Sequence, residues 1–217
     1  MAVDFHKKRR VLRGPHAVFD GSIVVEFLEP DGIDASVLIK TTVKAGHPLV
    51  AKGKKHPISP PLHVHFDQSE SFKVLSGKFG ITTGYKQTDL ILTPESEVRE
   101  VPPMQPHYPW IVADTSGEDS VVLAWAHPTS VPKAMDDEFF ETIFMHVSQA
   151  FEEGRMPNLL QLMLSQHETN SCGVMLPSAW WLGDLRWWIP WKLQGALAAV
   201  ARLMGYKPML EKVDKQK

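Results

Sequence analysis

Residues 60–77 read PPLHVHFDQSESFKVLSG, and the fold depends on how this stretch is arranged. Side chains alternate faces along a strand, so His63 and His65 point to one side while Leu62, Val64 and Phe66 point to the other. Two imidazoles on one face, about 7 Å apart by the usual rise per residue, suit joint coordination of one metal ion. The offset from His65 to Glu70 is odd and would send the carboxylate to the opposite face of an unbroken strand. A turn at FDQS removes the conflict, because Asp and Ser favour turns. The chain is then expected to return as an antiparallel partner with Glu70, Phe72 and Val74 on a shared, mostly apolar face. Gly77 ends the run where a small residue eases the next turn. Asp67 and Gln68 lie within reach of the metal, with turn formation the preferred role for Asp67.

Outward from this stretch, residues 16–130 fall into short runs rich in Val, Ile, Thr and Phe, such as SIVVEFLE, ASVLIKTTV, KFGITTGY and SVVLAWAHP. Gly, Pro, Asp and Ser punctuate them, and no helical segment intervenes. That pattern predicts an antiparallel sandwich or barrel rather than alternating βαβ units.

The pattern changes after residue 130. MDDEFFETIFMHVSQAFEEG begins with acids and spaces Phe139, Ile143, Val147 and Phe151 four apart, which predicts an amphipathic helix ending at Gly154. NLLQLMLSQHE predicts a second helix. WKLQGALAAVARLMGYKP predicts a third, with Leu193, Leu197, Val200 and Met204 on one stripe, Gly205 as its stop and Pro208 beyond. The expected organisation is a basic arm over 1–15, a β-barrel over 16–130 and a helical extension over 131–217 packed on the barrel.

Composition removes some function classes. A net charge of −2 over 217 residues gives no basic field of the kind that marks a nucleic-acid binder. Cys172 stands alone, so no internal disulfide forms, and a small, partly buried side chain is its expected role. MAVDFHKKRRVLRG lacks the apolar stretch of a secretory leader, and no window holds 18 uninterrupted apolar residues, so a cytoplasmic protein without a membrane span is expected.

With these residues in place, the stretch resembles the first motif of the cupins, His-x-His, three or four residues, Glu, six residues, Gly. His63, His65, Glu70 and Gly77 match it without a gap. The second motif, Pro-x-Gly-x-x-His, is similar to PPMQPH, which supplies Pro102 and His107 but has Met104 at the glycine position. Ile111 stands where an asparagine is common. The resemblance covers the strand-rich half and implies a mainly β fold, the double-stranded β-helix or cupin jelly-roll barrel, with a C-terminal α-helical extension. It is closest in kind to single-barrel cupins of bacteria and of fungal secondary-metabolite clusters. It also implies that His63, His65, Glu70 and His107 are metal ligands. Three imidazoles and a carboxylate suit a divalent transition metal, with Fe(II) first and Zn, Mn, Ni or Co as alternatives.

Phe72, Val74, Trp125 and His127 are expected to line a substrate pocket in the barrel, because His127 shares a strand face with Val121, Leu123 and Trp125. Tyr108 points away from His107 by parity. Five of the seven tryptophans fall in WWLGDLRWWIPW, residues 180–191. Packing of the helical half on the barrel is the preferred reading of that cluster. A peripheral membrane contact and a homodimer contact are the others. Beyond the metal ligands, no catalytic residue is assigned. The expected function is a metal-dependent enzyme acting on an apolar small molecule, an O₂-dependent oxygenase of secondary metabolism on the strength of the resemblance. The alternatives are a metal-dependent isomerase, dehydratase or cyclase, and a non-catalytic cupin that binds a hydrophobic ligand.

Overall fold

The computed structural model describes residues 4–113 and 117–209. Its strands are β1 (Val11–Val18), β2 (Ile23–Leu28), β3 (Val37–Val43), β4 (His63–His65), β5 (Ser69–Ser76), β6 (Phe79–Thr83), β7 (Thr88–Leu92), β8 (Arg99–Val101), β9 (His107–Ile111), β10 (Ser120–His127) and β11 (Ser171–Gly173). Its α-helices are α1 (Asp137–Glu152), α2 (Leu159–Glu168) and α3 (Leu185–Leu203). One sheet has the order β1-β2-β3-β10-β5-β8 and the other β11-β4-β9-β6-β7. Every pairing described is antiparallel. This is a mainly β double-stranded β-helix followed by helices. β1 begins inside the stretch read as a basic arm, and residues 1–3 and 210–217 of the expected arm and extension lie outside the described residues.

Register identifies the interior. Glu70, Phe72 and Val74 of β5 stand opposite Ala126, Ala124 and Val122 of β10, and directly opposed residues share a face. Phe72, Val74 and Val122 meet Phe79 and Ile81 of β6 and Leu92 of β7 in one buried cluster. The two sheets therefore face each other across an apolar interior. Each of these side chains contributes roughly 1.5–3 kcal/mol when fully buried.

The expected hairpin between the two halves of HVHFDQSESF is not formed. β4 and β5 lie in different sheets, so the chain crosses the barrel at Phe66–Gln68. The odd offset is resolved by this crossing: His65 and Glu70 look inward from facing walls. Gln68 secures the corner. Its amide donates to Ser36 Oγ at 3.0 Å and to the Pro128 carbonyl at 2.9 Å, and its Oε1 accepts from the Met135 amide at 2.6 Å. Asp67 accepts a hydrogen bond from Asn170 at 2.9 Å.

α1 forms as its sequence predicts. Asp136 caps it by accepting from the Phe139 amide at 2.9 Å, with Asp137 and Glu138 in the first turn complementing the helix dipole. Phe139, Ile143, Val147 and Phe151 pack against the cluster containing Ile23, Val25 and Phe27 of β2. α2 and α3 flank β11, and Leu164 of α2 packs with Ala198 and Ala201 of α3.

α3 departs from expectation twice. It starts at Leu185 and runs through Pro190, although a proline usually marks a boundary. The Arg186 carbonyl, which Pro190 cannot serve, accepts instead from the Met175 amide at 2.8 Å. The buried side is Gln194, Ala198 and Ala201, while Leu193, Val200 and Met204 of the predicted stripe are exposed. Two of the clustered tryptophans do pack inward, since Trp187 and Trp191 lie edge-on to Phe66 at 5.4 and 4.8 Å.

Gly77 has φ +67, and a Cβ there would lie 2.2 Å from Ser120 Oγ and 2.8 Å from Ser120 Cα. Gly77→Ala is expected to cost about 2 kcal/mol or more, through backbone strain plus overlap with β10. Thermal unfolding of the variant beside the parent measures this.

Candidate metal centre

Four side chains from three strands converge at one end of the apolar interior. His63 and His65 come from β4, Glu70 from β5 and His107 from β9, and His63 stands directly opposite His107 in the sheet. Ligand atoms from the four lie within 4.8 Å of one another. His65, Glu70 and His107 are buried, and His63 is half-buried. The three imidazole centroids are 4.5–5.1 Å apart.

The outer nitrogen of each ring is engaged. His63 Nδ1 lies 2.9 Å from the Pro61 carbonyl and His107 Nδ1 lies 3.0 Å from the Gln105 carbonyl. A carbonyl only accepts, so both Nδ1 atoms carry a proton, and the neutral ring keeps its lone pair on Nε2. His65 Nδ1 sits 3.0 Å from Ser171 Oγ. The inner atoms then lack conventional partners. His107 Nε2 approaches Glu70 Oε2 at 3.0 Å, an acceptor facing an acceptor when the ring is neutral. His65 Nε2 is 3.5 Å from the same oxygen and is a buried atom with no hydrogen bond. A cation placed among these atoms satisfies all of them, and the donor set suits a divalent transition ion.

Electrostatics favour a ready ligand set. Burial, reinforced by the neighbouring His107 and His65, holds His63 well below the usual histidine range. Burial likewise lowers His65 despite the neighbouring Glu70 carboxylate. Both rings are therefore neutral near pH 7, the form a metal requires. Burial opposes ionisation of Glu70, but the close approach of the His107 and His65 rings outweighs it and keeps the carboxyl below the usual carboxylate range.

Ser171 is the residue that sequence reasoning missed. It belongs to β11, three residues between α2 and α3 that pair with β4 in the register Ser171↔His65, Cys172↔Val64 and Gly173↔His63. Its hydroxyl contacts His65 Nδ1 and Thr169 Oγ1, and its carbonyl accepts from Gln194 of α3 at 2.7 Å. The helical extension thus reaches the candidate ligand set through Ser171. Cys172 is fully buried beside it, and burial pushes its thiol up to about 12, so it is inert packing.

Other expected site residues divide between the two faces of the sheet. Phe72 and Val74 face the interior beside Glu70. Trp125 and His127 do not, and their place in the pocket is corrected. Trp125 stands opposite Ser71 and Leu38 and packs with Leu28, Leu38 and Leu123 on the outer face, where Phe5 stacks on it at 5.6 Å. His127 bonds Ser71 Oγ at 3.0 Å on that outer face. Parity places residues on a common face without saying which face is inward, and both faces of β10 are covered by apolar groups. Arg99, which carries no local signal, stands opposite Phe72 and so faces inward. Its Nε is buried without a hydrogen-bond partner among the described residues.

Met104 occupies the family's glycine position with φ +63, the left-handed conformation a glycine adopts freely. The turn is therefore kept despite the substitution, and the Met104 amide donates to the His65 carbonyl at 2.7 Å. Met104→Gly is expected to raise stability by up to about 1 kcal/mol without loss of metal, as read by thermal unfolding and elemental analysis. Ser171→Ala is expected to weaken metal affinity by about tenfold at unchanged fold, because an outer partner orients its histidine. A chelator competition titration checks it.

No known protein-family profile matches the chain. A probable oxidoreductase of Hypocrea virens, virH, is 30% identical over 205 residues, covering 93% of this chain and 87% of the relative. An oxidoreductase of Arthrobotrys oligospora is 26% identical over 208 residues, covering 96% and 80%. Among solved structures, a Klebsiella pneumoniae protein with a double-stranded β-helix domain overlaps 51% of this chain and 81% of its own, with TM-score 0.35 and 15% identity. The motif residues meeting inside the two-sheet barrel, together with the match to the Hypocrea virens protein over most of both chains, make this chain a cupin of that fungal oxidoreductase family.

Proposed function

We propose that the chain is a metal-dependent oxidoreductase that uses O₂ to oxidise an apolar small molecule of secondary metabolism, with Fe(II) as the native ion. The observation that carries this reading is the convergence of three imidazole nitrogens and one carboxylate oxygen within 4.8 Å at the edge of an apolar interior. The names of the fungal relatives support the redox assignment. A divalent transition ion held by these four residues would supply a Lewis-acidic, and for iron a redox-active, centre.

The protein's own residues set the conditions for that chemistry. Glu70 would offset one charge of a bound ion, and the Nδ1–H bonds of His63 and His107 hold both rings with Nε2 turned inward. Phe72, Val74, Ile81 and Val122 keep the neighbouring space dry, which favours an apolar substrate and strengthens every polar contact made there. Arg99 provides an inward cation about one strand repeat, roughly 7 Å, from the Glu70 row. It suits an acidic oxygen on an otherwise apolar substrate, such as an enolate, phenolate or carboxylate.

His107→Ala is expected to lower iron occupancy and activity together, since it removes one of four ligands. With iron-loaded protein and candidate aromatic or polyketide-like substrates, turnover should stop when O₂ is withheld and should consume O₂ when it is present. Turnover that persists without O₂ transfers the assignment to metal-dependent isomerisation, dehydration or cyclisation. Less than about a tenth of an equivalent of any transition metal after reconstitution, a margin far below the tight binding expected of such a donor set, favours a non-catalytic ligand-binding barrel.

A further inference from the structure

The outward face of α3 is apolar along its whole length. Leu185, Trp188, Ile189, Leu193, Val200 and Leu203 are 45–88% exposed, and at three- and four-residue spacing they share one side of the helix. The alanines between them, Ala196 and Ala199, are exposed as well. The opposite side is committed to the protein: Gln194 bonds the Ser171 carbonyl, Ala198 and Ala201 pack on Leu164, and Trp191 packs on Phe66. Just before the helix, Trp180 and Trp181 are 78% and 71% exposed. A 19-residue helix is about 28 Å long, and an exposed apolar strip of that length marks an interaction surface rather than ordinary surface.

We propose that α3 is an interfacial helix that lays this protein on the surface of an anionic lipid bilayer. Charge selects the occupant. From Leu185 to Met209 the chain carries Arg186, Lys192, Arg202 and Lys207 and no carboxylate. Arg202 is paired with Glu168 of α2, and Arg186 lies over the Tyr85 ring. Lys192 is the one charged group on the apolar face, with its ammonium 5.5 Å from the Trp188 ring centroid. In a symmetric contact with a second copy, each Lys192 would be buried against a face that offers no acid. A lipid phosphate pairs it, while the tryptophans take the headgroup level that suits a ring with an apolar body and a polar N–H. Among the described residues no helix is long and apolar enough to cross a membrane, and a helix lying in the plane needs no such length. This proposal stands independently of the metal assignment.

Flotation of the full chain with phosphatidylcholine vesicles, with and without phosphatidylserine, tests it. The protein should float with the anionic vesicles and be released by raised salt. Leu193→Glu with Val200→Glu should abolish flotation while the circular dichroism spectrum and metal content stay unchanged, because neither side chain belongs to the packed side. Lys192→Glu should weaken partitioning by about tenfold. Failure to float with anionic vesicles, or a double variant that floats like the parent, overturns the proposal. Equal flotation with neutral vesicles overturns its anionic part. A dimer in light scattering that the double variant splits, without any vesicle binding, assigns the face to a second copy instead.

Discussion

The contact between His107 Nε2 and Glu70 Oε2, at 3.0 Å in a buried space, is the constraint on which the rest of the structure depends. A carboxylate in an apolar interior is costly unless charge or hydrogen bonds compensate it. Three imidazoles surround it, and each has its outer nitrogen held by a fixed oxygen. The hydrogen bonds that the outer nitrogens make to the Pro61 and Gln105 carbonyls and with the Ser171 hydroxyl therefore decide what the inner atoms present. The barrel serves this arrangement by bringing β4 and β9 in one sheet to face β5 in the other. An unbroken hairpin over residues 60–77 would have placed His65 and Glu70 in the same wall, and the corner held by Gln68 prevents this.

Much of this was legible in the sequence. Alternation gave the strands and put His63 and His65 on one face, while the resemblance to the two cupin motifs implied the full set of His63, His65, Glu70 and His107. α1 announced itself through its first-turn acids and periodicity, whereas α3 begins six residues before the predicted segment and buries a different side. The parts that stayed hidden depend on long-range contact. β11 is only Ser-Cys-Gly, with no strand propensity of its own, and is extended because β4 offers it an unpaired edge. Trp125 and His127 were placed on the wrong side because β10 is apolar on both faces, so alternation carries no sign. Arg99 has no local signal, and its inward aim follows only from its register against Phe72.

α3 shows the limit of reading burial from hydrophobicity. Its larger aliphatic residues point outward, while its inner side is built from Gln194, Ala198 and Ala201 with Trp187 and Trp191. Small residues allow close approach to α2, and Gln194 satisfies a backbone carbonyl next to the candidate site. The buried side is chosen by shape and hydrogen bonding, which leaves the greasier side available for another partner. Met104 shows a related compromise: a side chain is tolerated in a glycine's conformation because the surrounding turn is held by its bond to the His65 carbonyl.

The pairing of β11 with β4 also has a consequence for biogenesis. The wall that bears His63 and His65 lacks its outermost strand until a segment more than a hundred residues downstream has been synthesised. Folding on the ribosome would leave an open sheet edge for that interval. The barrel's own strands emerge early, yet the candidate site they frame is completed only when β11 docks against β4.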